Sequence, residues 1–437
     1  MPTPNSHGFA AIPPDPSWAF GELSAQQTGY ISHCYHRYPA KFIPQVAARL
    51  IRERSEPGQT VLDPFMGSGT TLVEALVQQR RARGIDINPA AIVASRAKTT
   101  PIAPDRLEAA LAEFRERLAL VAESNGSKLP DPLLPTNQER LDWWFPLEQQ
   151  HRLGIVLALV EAVDDEAVRS FLRCAFSHVL KTTSVWLMKS SKPTRDKAKV
   201  ANGVPHPVAP MRRHLAKMAR ANARMWDMLP KPSRKQGVAD VRRGDARKLP
   251  WRARSVDLVV TSPPYVTSYE YADLHELTSL WLGDLADIAA TKDQFIGSTA
   301  ARGRAEAEGH SSIGRDITAQ LRQRSRAKAE EVRQYFLDME HCFAQMHRVL
   351  RPGGTMCNVI GNTALKDVAI LNAEVHAELM THVGFELLNV IKRVIPSKTL
   401  PQIRDPKSGK FTSRGKGKLV EAYPEELILI ARKAKNG

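Results

Sequence analysis

Cysteine is scarce in this chain. Its 437 residues include four, Cys34, Cys174, Cys342 and Cys357, scattered and with no C-x-x-C spacing. A disulfide framework and a zinc cluster are therefore not expected, and a reducing cytoplasm is the natural setting. Long apolar runs are also missing. None approaches the roughly 18 residues that a bilayer span requires. The first thirty residues lack a basic stretch followed by an apolar one, so no secretory signal is expected. No internal repeat or long low-complexity tract is apparent. A chain of this size buries its core without covalent staples and suits one catalytic domain with a large insertion or second lobe.

What the chain has in excess is positive charge, a formal +16. Such a balance points to a polyanionic partner. Between Lys181 and Pro250 there are 18 Lys and Arg against 4 Asp and Glu. A second basic stretch runs from Lys392 to Lys418. Nucleic acid is the favoured partner, with a generic basic surface as the alternative.

The stretch from Met1 to Trp18, rich in Pro, Ser and Gly, reads as an extended or mobile arm. An apolar pattern through Phe42, Val46, Leu50 and Ile51 predicts a short amphipathic helix within 39–54. Strand patterns follow at Thr60–Asp63 and Gly84–Ile87, each succeeded by a helical pattern. This alternation predicts a doubly wound sheet. From about Pro101 to Lys235 helical patterns dominate: Leu107–Glu123, Leu147–Val163, Glu166–Leu180 and Met211–Met228. Strands resume at Val238–Arg242, Ser255–Val260, Thr355–Ile360, Phe385–Val394 and Glu426–Ala431. That makes seven, the last two suited to antiparallel pairing. Between them, Ala286–Ala329 reads as a polar, mobile excursion with a helix, before a helix through Tyr335, Met339, Phe343 and Met346.

Two loops carry the chemistry. The first, Asp63-Pro64-Phe65-Met66-Gly67-Ser68-Gly69-Thr70-Thr71, leaves a strand and opens a helix. Gly67 and Gly69 permit a sharp turn and close approach by a ligand, and the helix amides beyond favour a carboxylate. Asp86 ends the next strand, 23 residues after Asp63, where an acid can accept ribose hydroxyls. A dinucleotide fingerprint fails because Leu72 stands where its third glycine belongs. No Gly-Lys-Ser/Thr follows, so this is no phosphate-binding P-loop. A plain structural turn is the remaining alternative.

The second loop is Thr261-Ser262-Pro263-Pro264-Tyr265. A strand ending in two prolines leaves carbonyls without sheet partners, at the edge where doubly wound folds bind ligands. The Ser262 hydroxyl and Pro263 carbonyl suit the two N–H donors of an exocyclic amine. Tyr265 suits stacking on an extruded base. The loop has no cysteine for covalent attack on a pyrimidine ring, which favours direct transfer governed by proximity. An ordinary Pro-Pro turn is the competing reading.

At these residues the chain resembles the amino-methylating DNA methyltransferases, which use S-adenosylmethionine. Asp63 to Gly69 is similar to their cofactor motif. Ser262-Pro263-Pro264-Tyr265 is similar to the serine form of their catalytic motif, typical of N4-cytosine members. His36-Arg37-Tyr38-Pro39-Ala40-Lys41-Phe42 resembles a segment that closes over the methionine end in one bacterial branch. Gly244-Asp245-Ala246-Arg247 resembles the third-strand motif that meets the cofactor adenine, and Arg351-Pro352-Gly353-Gly354 the turn before the fifth strand. The cofactor motif precedes the catalytic one, unlike the circularly permuted class, and the large insertion falls before the third strand.

The resemblance implies a Rossmann-like seven-stranded α/β methyltransferase sheet with a large helical insertion. Residues 31–100 and 236–437 would form the catalytic domain, 101–235 the insertion, and 1–30 an arm. Around the cofactor it implies Tyr38, Lys41, Phe42, Asp63, Phe65, Gly67, Ser68, Gly69, Thr70, Asp86, Asn88 and Asp245. Around the target base it implies Ser262, Pro263, Pro264 and Tyr265. The expected reaction is methylation of cytosine N4 in duplex DNA by a site-specific bacterial enzyme, cytoplasmic and on the nucleoid when bound, with a cognate restriction endonuclease a compatible partner and no membrane. Adenine N6, an RNA base, or a non-catalytic DNA-binding role are the alternatives.

Basic residues among Ser and Thr suit phosphate contacts. Lys189, Lys192, Arg195, Lys197 and Lys199 are expected on DNA, as are Arg404 and Lys407 in the stretch joining the last two strands. Trp143-Trp144-Phe145 reads as core packing ahead of a stacking platform. His33 and His36 have no spaced partner to complete a metal site, and no metal is expected. Glu270 and Asp273 read as helix surface charge ahead of a role in orienting the loop.

Overall fold

The computed structural model describes residues 8–39, 42–123, 129–190, 192–235, 239–266, 271–283, 294–297, 309–395, 403–404, 420–421 and 425–435. Seven strands form the main sheet: β1 (Thr60–Asp63), β2 (Arg81–Asp86), β3 (Ala239–Arg243), β4 (Val256–Thr261), β5 (Leu350–Ile360), β6 (Phe385–Val394) and β7 (Glu425–Lys433). Their order is β3-β2-β1-β4-β5-β7-β6. The first five are parallel, and β7 inserts antiparallel between β5 and β6. The paired last strands of the sequence reading are therefore neighbours.

The central strands explain themselves. Thr60-Val61-Leu62-Asp63 is buried at every position, as a parallel strand covered on both faces must be. β2 begins earlier than its apolar pattern indicated. Arg81 and Arg83 alternate with Ala82 and Gly84, so one side of the strand is polar while its backbone pairs with β1 and β3.

Helices cover both faces. α1 (Pro44–Arg54) starts later than expected because Pro44 supplies its first position, where a missing N–H costs nothing. Its Val46, Leu50 and Ile51 are fully buried. α2 (Thr70–Val77) follows β1, and α3 (Pro89–Thr99) follows β2, capped by the Asn88 carboxamide on Ala90 N at 3.0 Å. α4 (Pro104–Ala122), α5 (Gln138–Trp144), α6 (Leu147–Glu161), α7 (Glu166–Leu180), α8 (Lys197–Asn202) and α9 (Val208–Met228) then form the helical lobe. α7 opens on Asp165, whose carboxylate accepts from Ala167 N and Val168 N, a standard satisfaction of first-turn donors.

The lobe has its own core, with Phe171, Phe176, Leu215 and Met218, yet it is not self-contained. α10 (Glu276–Leu282), which follows the Ser262–Tyr265 loop, gives Leu277, Leu280 and Trp281 to that core. Phe145 and Phe176 both meet the Trp281 ring edge-on at 5.6 Å. α11 (Ser312–Arg324), α12 (Arg326–Val349) and α13 (Asn372–His382) pack a second core with the sheet.

The N-terminal arm departs from expectation. From residue 8 onward it is docked, not mobile. Phe9 and Trp18 are buried, Asp15 N donates to Lys392 O at 2.8 Å, and Arg393 Nε donates to Trp18 O at 2.9 Å. Two large apolar side chains anchored on β6 outweigh a loop-like composition. Further on, His33 Nε2 and the Tyr30 hydroxyl both reach the buried Glu74 carboxylate on α2, at 2.7 and 2.5 Å. Burial raises the Glu74 carboxyl to about 8.

Candidate active site

Strand order reverses between β1 and β4, so the loops leaving their carboxyl ends diverge and open a crevice. Both chemistry-bearing loops start there. Val61 and Leu62 pair with Leu258 and Val259, which places Asp63 beside the end of β4. Thr261 Oγ1 donates to Asp63 Oδ1 at 2.6 Å, and Thr71 Oγ1 donates to Val260 O at 3.2 Å. The two loops are thus tied at their roots.

In the first loop Gly67 and Gly69 have φ of 47° and 78°, a region that side chains disfavour. A Cβ on Gly69 would lie 2.9 Å from Ser95 Cβ, and one on Gly67 would lie 3.1 Å from the Tyr38 ring. Asp86 holds the turn from below, accepting from Gly67 N and Asn88 N at 2.9 Å each. A carboxylate offers about four acceptor positions, so its capacity is not exhausted. Burial raises the Asp63 carboxyl to about 7, against hydrogen bonds from Thr261 and Phe65 N that lower it. Burial likewise raises Asp86 to about 6. Ser68 Oγ and Thr70 Oγ1 are buried with no hydrogen-bond partner, at the amino end of α2.

Tyr38 lies over this turn. Its ring stacks on His275 at 4.2 Å between centroids. Beneath it, His36 Nε2 meets Ser177 Oγ at 2.8 Å, and Ser177 Oγ meets Thr278 Oγ1 at 2.7 Å. The segment around His36 is therefore fixed by α7 of the lobe and by α10. Burial lowers His275 to about 3 and keeps His36 well below the ordinary imidazole range, so both rings are neutral.

The second loop is half-buried at Ser262, Pro264 and Tyr265. Tyr265 Oη donates to Glu426 Oε1 at 3.3 Å, and its ring lies against Gly361, where a Cβ would sit 3.2 Å from it. The Pro264 carbonyl accepts from Tyr335 Oη at 2.9 Å. Tyr335 in turn meets His376 Nε2 at 3.2 Å, and His376 Nδ1 meets Asn358 Nδ2 at 3.0 Å. Sequence reading missed these three residues. Tyr335 stood out only as one apolar position of a helix, and no spacing links 335, 358 and 376.

The side chains of several expected site residues are engaged within the protein. Phe42 is buried among Val46, Val61 and Met66, so it packs the core. The Asn88 side chain caps α3. Asp245 is half-enclosed by Arg247, which binds it at 2.7 Å and reaches Asp338 at 2.8 Å. Lys41, Lys407 and Glu270 lie outside the described residues, as does the Arg404 side chain.

The basic surface needs one correction. The Lys199 ammonium donates to the carbonyls of Lys181, Thr182, Ser184 and Trp186 at 2.9 to 3.3 Å. Three N–H donors are committed to the turn after α7, leaving none for phosphate. Lys189, Lys192, Arg195 and Lys197 are exposed. Trp144 and Phe145 are core, but Trp143 is 48% exposed with the Arg195 guanidinium 4.7 Å above its ring. His33 and His36 are engaged as described. Among the described residues, His310, Glu340 and His382 bring possible ligand atoms within 4.8 Å of one another, on elements other than those bearing the two loops.

Comparison with known proteins adds the family. Residues 12–96 and 256–437 match the profile of the N6/N4 methyltransferases, described as DNA methylase. The interval between is the helical lobe with β3. Over 405 residues the chain is 27% identical to the type II methyltransferase M.MvaI of Kocuria varians, covering 87% of each protein. Over 71 residues it is 41% identical to the type II methyltransferase M.MjaII of Methanocaldococcus jannaschii, covering 16% of this chain and 13% of that one. A solved SAM-dependent methyltransferase of Methanosarcina mazei aligns at 10% identity and TM-score 0.32, covering 88% of this chain and 97% of the other.

Proposed function

The chain belongs to the N6/N4 DNA methylase family, and from that premise we propose that it methylates N4 of cytosine in duplex DNA. That it is an S-adenosylmethionine-dependent DNA amino-methyltransferase follows from the family itself. The choice of cytosine rests on Ser262 at the head of the Pro-Pro-Tyr loop. Adenine-directed relatives usually carry Asp or Asn there.

The residues present fit the cofactor. Two left-handed glycines bring backbone amides close, the partnerless Ser68 and Thr70 hydroxyls face the amino end of α2, and that end favours a carboxylate. Asp86 supplies acceptors for the ribose, and Tyr38 covers the turn. When bound, S-adenosylmethionine supplies an electrophilic methyl carbon on a positively charged sulfur.

The protein's own residues then perform three tasks. Tyr265 stacks on the extruded base. Ser262 Oγ and the Pro263 carbonyl each accept one amine N–H, which turns the nitrogen lone pair toward the methyl group. The Thr261–Asp63 bond keeps this loop in register with the cofactor turn, so the main gain is positional. After transfer, the proton on the nitrogen leaves along one of the same two hydrogen bonds toward water.

Covalent catalysis at cytosine C5 is disfavoured by the thiols. Cys357 lies in register with Val260, one residue before Thr261, yet burial pushes its thiol up to about 12, as it does for Cys174. A buried protonated thiol is a poor nucleophile. DNA modified by the purified enzyme, digested to nucleosides and resolved by mass spectrometry, tests the assignment. N4-methylcytosine is expected, and N6-methyladenine would replace it with the other family chemistry.

The DNA path proposed runs along Lys189, Lys192, Arg195 and Lys197, with the exposed Trp143 beside Arg195. What supports it is the local positive excess next to a lobe that shares its core with α10, directly after the target loop.

A further inference from the structure

Resting on the reading of Ser262–Tyr265 as the target-base loop, we infer that Tyr335, oriented by His376 and Asn358, is a positioning residue that sets the aim of that loop.

The argument starts from the torsions of the loop. The Pro263 and Pro264 rings fix φ at both positions. Ser262 and Pro263 each precede a proline and are confined to extended ψ. One soft backbone torsion is left between the Ser262 hydroxyl and the Tyr265 amide, namely ψ of Pro264. That torsion is the angle that points the Pro264 carbonyl. The carbonyl accepts from Tyr335 Oη at 2.9 Å. One hydroxyl therefore holds the soft backbone rotation that relates the amine acceptors to the backbone carrying the stacking ring.

The hydrogen-bond directions follow from the chemistry of the groups. A carbonyl only accepts, so Tyr335 donates its one proton to Pro264. The Tyr335 oxygen must then accept from His376 Nε2–H at 3.2 Å. A neutral imidazole with its proton on Nε2 has Nδ1 as acceptor, and Asn358 Nδ2 donates to it at 3.0 Å. The chain runs one way, from Asn358 through His376 and Tyr335 to Pro264. Asn358 in turn pairs with Thr261 across β4 and β5, so the chain begins beside the strand residue that opens the loop.

Packing alone does not call for these polar groups. Tyr335, His376 and Asn358 are each at most 1% exposed, among Met339, Cys342 and Phe343. Phenylalanine at 335 would fill the same space without requiring partners. The hydroxyl has use only through the groups it bonds.

The test is steady-state methyl transfer from radiolabelled S-adenosylmethionine to unmethylated plasmid DNA, with cofactor affinity by calorimetry. Tyr335→Phe is expected to lower kcat about tenfold, the loss of roughly one good hydrogen bond in the transition state, with cofactor affinity within twofold of wild type. Met339→Ala, an apolar change in the same core, serves as a stability control and is expected to lower Tm with kcat retained. Unchanged kcat in Tyr335→Phe, or an equal fall in Met339→Ala, overturns the clamp. If Tyr335→Phe gives no soluble enzyme, His376→Gln and His376→Leu replace it. The glutamine amide can still donate to Tyr335 and should retain most of the rate, whereas leucine should lose it. Equal rates in the two overturn the clamp. A wild-type enzyme with no transfer to DNA would instead overturn the underlying reading of the loop.

Discussion

Thr261 and Asp63, 198 residues apart in the chain, share a 2.6 Å hydrogen bond at the carboxyl ends of adjacent strands. It joins the roots of the cofactor turn and the target loop directly, and both residues are buried. Thr261→Val keeps the shape and removes the donor. A hydrogen bond to a carboxylate contributes about 1.5–3 kcal/mol, so cofactor affinity should weaken by about tenfold or more, with kcat falling as well. Calorimetry and single-turnover transfer measure the two effects separately. Full retention of both would show that the tie is dispensable.

Asp63 and Asp86 give a pH dependence whose sign can be worked out. Burial raises both above the ordinary 3.8, to about 7 and about 6. The folded cofactor-free protein therefore holds protons that the unfolded chain releases. Their contribution to stability is complete below about pH 3.8 and is lost as pH rises through 6 to 7. The bound sulfonium favours the ionised carboxylates, so affinity should rise over the same interval and binding should release protons. Titrations near pH 6.5 in buffers of unequal ionisation enthalpy would detect that release. Net proton uptake would contradict the assignment of these acids to the cofactor.

Tyr265→Ala should separate binding from turnover. Stacking of a base on an aromatic ring contributes about 1–3 kcal/mol, which corresponds to a fall in kcat/KM for DNA of about 5- to 150-fold. Cofactor affinity should stay near normal, because the Tyr265 side chain lies against Gly361 and bonds to Glu426. A large loss of cofactor binding would count against the stacking role.

The lobe lysines should divide into two kinds. Lys192→Ala and Lys197→Ala should each weaken DNA binding and reduce the salt slope by about 0.9, as expected for the loss of one phosphate contact. Lys199→Ala should leave the slope unchanged and lower Tm, since four carbonyls at the end of α7 lose their donor. Fluorescence anisotropy across a salt series, beside thermal melts, distinguishes them.

The parts visible in the sequence were those encoded locally. A strand buried on both faces, a Gly-Ser-Gly turn and a Ser-Pro-Pro-Tyr turn each lie within a dozen residues, and each emerged near its expected place. The helical lobe followed from four clear periodic patterns. What stayed hidden depends on distant partners. Phe9 and Trp18 sit in a loop-like stretch and gain their burial from β6, nearly four hundred residues away. Lys199 carries the same side chain as Lys197, and only the fold of the turn after α7 turns it inward. Glu74 is one acid on an apolar helix in sequence, yet it receives His33 and Tyr30 from the segment before the sheet. Tyr335, His376 and Asn358 lie on three separate elements and converge only when α12 and α13 pack against β5.

The lobe's dependence on α10 bears on any attempt to exchange it for another. Leu277, Leu280 and Trp281 belong to its interior although they lie more than forty residues beyond its nominal end. A transplant cut at 101 and 235 would strip those three side chains of their neighbours and expose their counterparts in the graft. A chimaera that exchanges the lobe would therefore have to carry α10 along with it. The splice would then fall in the stretch that follows Tyr265, so exchanging the lobe and preserving the Ser262–Tyr265 loop become a single engineering problem.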